Sequence, residues 1–228
     1  MTSIERLTQL DAVARLRARD TSLYSDDPAV RDTVANRLGW TDLAEQAPAI
    51  RDELVRIAEQ AAEEGVRDIV LLGMGGSSLA SMVLASVWPE PRAKLYTLDT
   101  VSPITVKRVL EAIDPAKTLV LVSSKSGGTI EPNALYAVFR HRFEEELGEG
   151  AGDRFIAITD PGSSLEDLAR ASGFRAVVAA PPTVGGRFSA LSAFGLLPAA
   201  LMGVDLDEFI ARGRAMEDEC GAPVDRNP

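Results

Sequence analysis

Residues 66–129 read VRDIVLLGMGGSSLASMVLASVWPEPRAKLYTLDTVSPITVKRVLEAIDPAKTLVLVSSKSGGT. Three short β-branched and apolar runs stand out, Asp68 to Leu72, Lys94 to Leu98 and Thr118 to Ser123, with a loop and then a helical period after each. The pattern continues outward through Arg154 to Thr159 and Arg175 to Ala179. Five strands thus alternate with helices expected at about 78–87, 103–113, 131–147 and 164–172, followed by 189–202 and 206–219. Near-continuous apolar strands such as IVLL and LVLV predict a parallel sheet covered on both faces, hence an α/β, doubly wound, five-stranded domain.

Before residue 66 no strand is expected. Leu7, Leu10, Val13, Ala14 and Leu16 fall on one helical stripe, Ile50, Leu54, Ile57, Ala58 and Ala61 on another, and Gly65 is a plausible helix stop. The expected organisation is an N-terminal helical arm over 1–65, the α/β domain over 66–204 and a C-terminal helical segment over 205–228.

Length and charge bound the function. At 228 residues the chain can bury a core without staples. The richest apolar stretch, Phe188 to Val204, is interrupted by Ser189, Ser192, Gly195 and Pro198, so no membrane span is expected. The charged N-terminus lacks a signal-peptide h-region, and a cytoplasmic address follows by default. The 24 Lys and Arg against 34 Asp and Glu leave a net charge of -10, which disfavours a general nucleic-acid or anionic-membrane surface. One cysteine, Cys220, and one histidine, His141, exclude an internal disulfide, a thiolate cluster and a multi-His zinc site.

The chemistry should lie in the loops at the carboxyl ends of the strands, near the point where strand order reverses. Gly73-Met74-Gly75-Gly76-Ser77-Ser78 leads from the first strand into a helix, so backbone N–H groups and the helix N-terminus can face an anion. Ser123-Ser124-Lys125-Ser126-Gly127-Gly128-Thr129 gathers hydroxyls, an ammonium and glycines after the third strand, a set suited to phosphate. If strand 1 lies between strands 2 and 3, in a flavodoxin-like order, these two loops flank one site. Gly185-Gly186-Arg187, after the fifth strand, can turn its guanidinium into the same crevice and stabilise a developing oxyanion. The loop Asp160-Pro161-Gly162-Ser163-Ser164 reads as a turn and helix cap.

Blander and rival readings apply to the same residues. Ser and Thr could simply cap helices, and Lys125 and Arg187 could be solvated. No stretch has the GxxxxGK[ST] spacing of a P-loop. A dinucleotide fingerprint begins with Gly73 and Gly75 but has Ser78 third, although Asp99 stands where a ribose-binding acid would be expected. His141 and Glu144, Glu145 and Glu146 read as a solvated helix face.

Together LLGMGGSSL, VSSKSGGTIEP and VGGRFSALSAFGLLPAAL, in this order, resemble the sugar-isomerase (SIS) domain of the glucose-6-phosphate isomerase family, most nearly a bacterial branch also found fused to transaldolase. The resemblance covers roughly residues 30 to 205, and YSDDPAVRDTVANRLGW resembles that branch's helical lead-in. It implies that Gly76, Ser77, Ser124, Lys125, Ser126 and Thr129 hold the phosphate of a hexose 6-phosphate, and that Glu131 and Gly186 lie near the sugar hydroxyls. It further implies that Arg187 stabilises a cis-enediolate, without metal or organic cofactor. A homodimer is implied, as is a second SIS domain, outside these residues, that supplies the glutamate base, a ring-opening histidine and a late lysine. The alternatives are a non-catalytic phosphosugar-sensing SIS module and an NAD-dependent oxidoreductase dependent on Asp99.

Overall fold

In a computed structural model covering residues 1–228, the strands β1 (Asp68–Gly73), β2 (Lys94–Leu98), β3 (Thr118–Ser123), β4 (Phe155–Thr159) and β5 (Ala176–Ala179) form one parallel sheet in the order β2-β1-β3-β4-β5. With β1 between β2 and β3, this is the flavodoxin-like order supposed for the sequence. Eleven α-helices accompany the strands. Five precede β1: α1 (Ser3–Gln9), α2 (Ala12–Arg17), α3 (Pro28–Ala35), α4 (Leu43–Gln46) and α5 (Pro48–Glu63). The crossovers carry α6 (Gly76–Val87), α7 (Pro103–Ala112), α8 (Ile130–Leu147) and α9 (Ser164–Ala171), and α10 (Ala193–Leu201) and α11 (Leu206–Glu219) follow β5.

Side-chain alternation along the strands divides the core into two layers. Ile69, Leu71, Leu119, Leu121, Ile156 and Ile158 face α5, α6, α10 and α11. Val70, Leu72, Val120, Val122, Phe155 and Ala157 face α7, α8 and α9. Helices on both faces explain why the central strands read as unbroken apolar runs. On α8, Phe139 and Phe143 are wholly buried, and truncating either to Ala should cost about 3–5 kcal/mol.

Helix α5 buries Leu54, Ile57, Ala58 and Ala61 against the sheet, as its stripe predicts, and ends before Gly65, whose φ is +71°. The first stripe does not form one helix. Asp11 takes a left-handed φ of 48° and divides α1 from α2, and Leu7 and Leu10 remain exposed. Asp11 tolerates that conformation better than a branched residue would.

Two helix starts differ from expectation. Helix α6 begins at Gly76, two residues before 78, because the Gly-rich run itself forms the first turn. Helix α10 begins at Ala193 rather than 189, since Gly186–Phe188 forms a 3-10 turn and Ser192 caps the helix by accepting the Phe194 N–H. Pro198 lies inside α10 and cannot donate to the Phe194 carbonyl. That carbonyl instead accepts from the buried Ser81 Oγ at 3.2 Å, which ties α6 to α10. No helix is long and apolar enough to cross a membrane.

Candidate functional site

Parallel pairing places Gly73 beside Ser123 and Ser123 beside Ile158, so the loops leaving β1, β3 and β4 are neighbours at one end of the sheet. Gly75, with φ 54° and ψ -120°, makes the turn into α6, and only glycine adopts that backbone at little cost. The buried Ser123 Oγ donates to the Ser77 carbonyl at 2.8 Å and so fixes the first loop to β3. The Ser77 N–H, expected to face an anion, donates to the Met74 carbonyl within the turn at 3.2 Å.

In the third loop Ser124 is buried, its N–H donates to the Ile158 carbonyl, and its Oγ donates to Thr129 Oγ1 at 3.4 Å. Thr129 occupies the N-cap position of α8, yet its side chain makes no cap bond. The simple capping reading of this threonine therefore does not describe it. Nor do α6 or α7, after β1 and β2, begin with a side-chain cap, whereas Ser163 and Ser192 cap α9 and α10 after β4 and β5. The uncapped N-termini of α6 and α8 bring positive dipole ends to the strand-order reversal, although in α6 the Ser77 and Ser78 N–H groups are already taken by the Met74 and Gly75 carbonyls. Ser126 is exposed and accepts the Gly128 N–H at 3.3 Å, and Glu131 is half-buried in the first turn of α8.

Lys125 is not a free surface cation. Its Nζ donates to Asp160 Oδ2 at 2.5 Å and to the Pro182 carbonyl at 2.7 Å. The sequence reading of 160–164 as a turn and cap holds for Ser163, whose Oγ accepts the Glu166 N–H, but it missed Asp160. The available signal was an acid at the carboxyl end of β4, where the parallel register brings it to the loop after β3.

The segment after β5 crosses the crevice. Val184 forms an antiparallel bridge with Leu38, Thr183 accepts the Gly39 N–H at 3.1 Å, and Trp40 stacks on Phe188 with ring centroids 5.0 Å apart. Further along, Gly186 lies against Gly76, and Ser189 Oγ is placed to donate to the carbonyls of Gly186 and Gly76 at 2.6 and 3.3 Å. Arg187 is exposed, and with Gly75, Gly76, Ser78, Asp99 and Gly186 it lines a cleft of about 450 Å³. Both the arginine proposed for oxyanion stabilisation and the acid considered for ribose therefore face the same space. The apolar recess between α2 and α11, lined by Trp40, Phe188 and Met216, contains none of the phosphate-loop residues.

His141 lies elsewhere, 76% exposed on α8 and 3.6 Å from Glu145. Arg140 and Arg142 pair with Glu144 and Glu146 at the same helical spacing, so this is a solvated, salt-bridged face. No cluster of three or more His, Cys, Asp or Glu side chains is assembled that could hold a metal ion.

The sheet order and the gathering of polar loops at its reversal point define the class: a doubly wound α/β domain with its crevice at the β1/β3 switch point. The family model for phosphoglucose isomerase matches residues 12–227, and the chain belongs to that family. It is 40% identical over 200 residues to a glucose-6-phosphate isomerase of Thermus thermophilus, covering 87% of this chain and 47% of that protein. With a glucose-6-phosphate isomerase of Rubrobacter xylanophilus it shares 33% identity over 210 residues, 86% of this chain and 45% of that one. The crystal structure of a hypothetical protein from Thermus thermophilus superposes with a TM-score of 0.82 at 36% identity, over 99% of this chain and 51% of that chain. A glucose-6-phosphate isomerase from Chlamydia trachomatis shares the fold, with a TM-score of 0.69 at 24% identity, over 98% of this chain and 45% of that chain. The chain spans about half the length of the curated relatives it matches.

Proposed function

We propose that this chain forms the phosphate-binding and oxyanion-stabilising part of an aldose-ketose isomerase that interconverts glucose 6-phosphate and fructose 6-phosphate. The observation that carries the reading is the contact of Gly186 with Gly76, which sets Arg187 beside the Gly-rich loop at the switch point. The phosphate is received by the N-termini of α6 and α8 with Gly76, Ser77, Ser124, Ser126 and Thr129, Lys125 adding positive charge. Glu131 and Gly186 lie toward the sugar hydroxyls.

In the forward direction a base removes the proton from C2 of the open-chain aldose, and the C1 carbonyl oxygen becomes the enediolate oxyanion. A proton then returns to C1 while the proton of the C2 hydroxyl passes to the C1 oxygen, which leaves the C2 ketone and the C1 hydroxyl. Arg187 stabilises the negative charge that exists only between these two transfers, so its effect falls on the barrier. The base and the ring-opening groups belong, in this reading, to the part of the longer relatives that this chain does not span. A homodimer accompanies the proposal, and the apolar Val83 and Val87, exposed on α6, offer it a surface.

Calorimetric titration of the chain with fructose 6-phosphate tests the phosphate assignment. Saturable binding, weakened at least about tenfold by Ser124→Ala or Lys125→Ala, is expected. Unchanged affinity in both variants would remove the assignment. A coupled isomerisation assay on this chain joined to the part of the longer relatives that it does not span separates the isomerase reading, which predicts turnover, from a non-catalytic sugar-phosphate sensor, which predicts none; turnover by this chain alone would contradict the assignment of the base to the remaining half.

A further inference from the structure

We infer that Asp160 is a positioning residue which, through Lys125, joins the phosphate loop to the segment carrying Arg187; the inference rests on the function proposed above. The Lys125 carbonyl accepts the Asp160 N–H at 3.0 Å and the Thr159 hydroxyl at 3.2 Å, while its ammonium is held by Asp160 Oδ2 and the Pro182 carbonyl. Backbone and side chain of Lys125 are therefore both fixed to the end of β4. The pair is largely withdrawn from water, with side-chain exposures of 25% for Lys125 and 19% for Asp160, so the attraction is screened less than in a surface pair.

An ammonium has three protons. Two are taken by Asp160 and Pro182, which leaves one for a phosphate oxygen. Pro182 begins the segment that is bridged by Leu38 at Val184 and rests on Gly76 at Gly186. A phosphate held by Lys125 would thus be felt along this segment as far as Arg187. Asp160 itself does not touch substrate. It acts by holding Lys125 where the one cation serves both the anion and the Pro182 carbonyl.

Two opposed effects of Asp160→Asn separate this role from that of a passive counter-charge. Removing a counter-charge should tighten phosphate binding, whereas removing a positioning group should weaken it. The test combines calorimetry with fructose 6-phosphate and inorganic phosphate with hydrogen exchange of residues 181–189, using residues 118–123 as internal control. In Asp160→Asn the affinity is expected to fall about tenfold, exchange over 181–189 to accelerate with 118–123 unchanged, and the protection that ligand confers on 181–189 in the wild type to disappear. Lys125→Met should accelerate the same segment to the same extent, and the double variant no further.

Tighter binding, unaltered exchange over 181–189, or additive effects in the double variant would overturn the inference. If the wild type bound neither ligand, the proposed function would fail. The exchange contrast among the variants without ligand would still decide whether the clamp exists.

Discussion

Gly76 and Gly186 meet backbone to backbone: a Cβ on Gly76 would lie 2.4 Å from the Gly186 Cα, and a Cβ on Gly186 would lie 2.9 Å from the Gly76 Cα. Neither neighbour is a flexible side-chain end, so one segment must move if either gains a methyl group. Gly186→Ala is expected to cost about 1–3 kcal/mol of stability by overpacking, measured by urea denaturation, and to weaken fructose 6-phosphate binding. Full affinity and stability in this variant would mean that the contact does not place Arg187.

Ser123 links the two phosphate loops through the bond from its Oγ to the Ser77 carbonyl. Ser123→Ala removes this donor from the carbonyl of the half-buried Ser77, and a loss of about 0.5–1.5 kcal/mol is expected in denaturant titrations. Loss of sugar-phosphate affinity should accompany it.

Arg187 should matter more to the enediolate than to the substrate. A hydroxamate analogue of the sugar phosphate, which imitates the planar enediolate, is expected to bind Arg187→Ala about 10²–10³-fold less tightly than wild type. Fructose 6-phosphate should be affected far less. Equal losses for the two ligands, measured by calorimetry, would place Arg187 in ordinary ground-state binding.

Glu166 gives the loop bearing Asp160 a pH dependence. Its carboxyl is held below the ordinary carboxylate range, first by the Arg170 guanidinium and then by the Gly162 N–H, which donates to Oε2 at 2.7 Å. A depressed acid contributes stability above its unfolded-state pKa and loses it as pH falls through the folded value. The Gly162 turn should therefore stay closed at neutral pH and open only when pH falls below that range. An NMR titration of the Glu166 carboxyl should give a midpoint below the model-peptide value, and Arg170→Ala should raise it.

The sheet was legible because strands covered on both faces must be apolar throughout, as Val70 to Leu72 and Leu119 to Val122 are. The switch-point loops followed from strand order. Where the reading stopped short, local chemistry had two outcomes of similar cost. Ser189 looked like the start of a helix but spends its hydroxyl on the Gly186 and Gly76 carbonyls, so α10 waits for Ser192. Asp11 could continue a helix or adopt a left-handed turn, and it turns. The pairing of Lys125 with Asp160 depends on the parallel register of β3 and β4, which no local pattern encodes. The support that Leu38, Gly39 and Trp40 give to residues 183–188 is likewise tertiary.

The most direct test of the central claim is a titration of the isotope-labelled chain with fructose 6-phosphate, followed through the backbone amide resonances. Saturable shifts are predicted, centred on Gly76, Ser77, Ser124, Ser126 and Thr129 and extending to Gly186 and Arg187. Shifts confined to residues around Trp40, Phe188 and Met216, or an absence of shifts at the switch-point loops under saturating ligand, would contradict it.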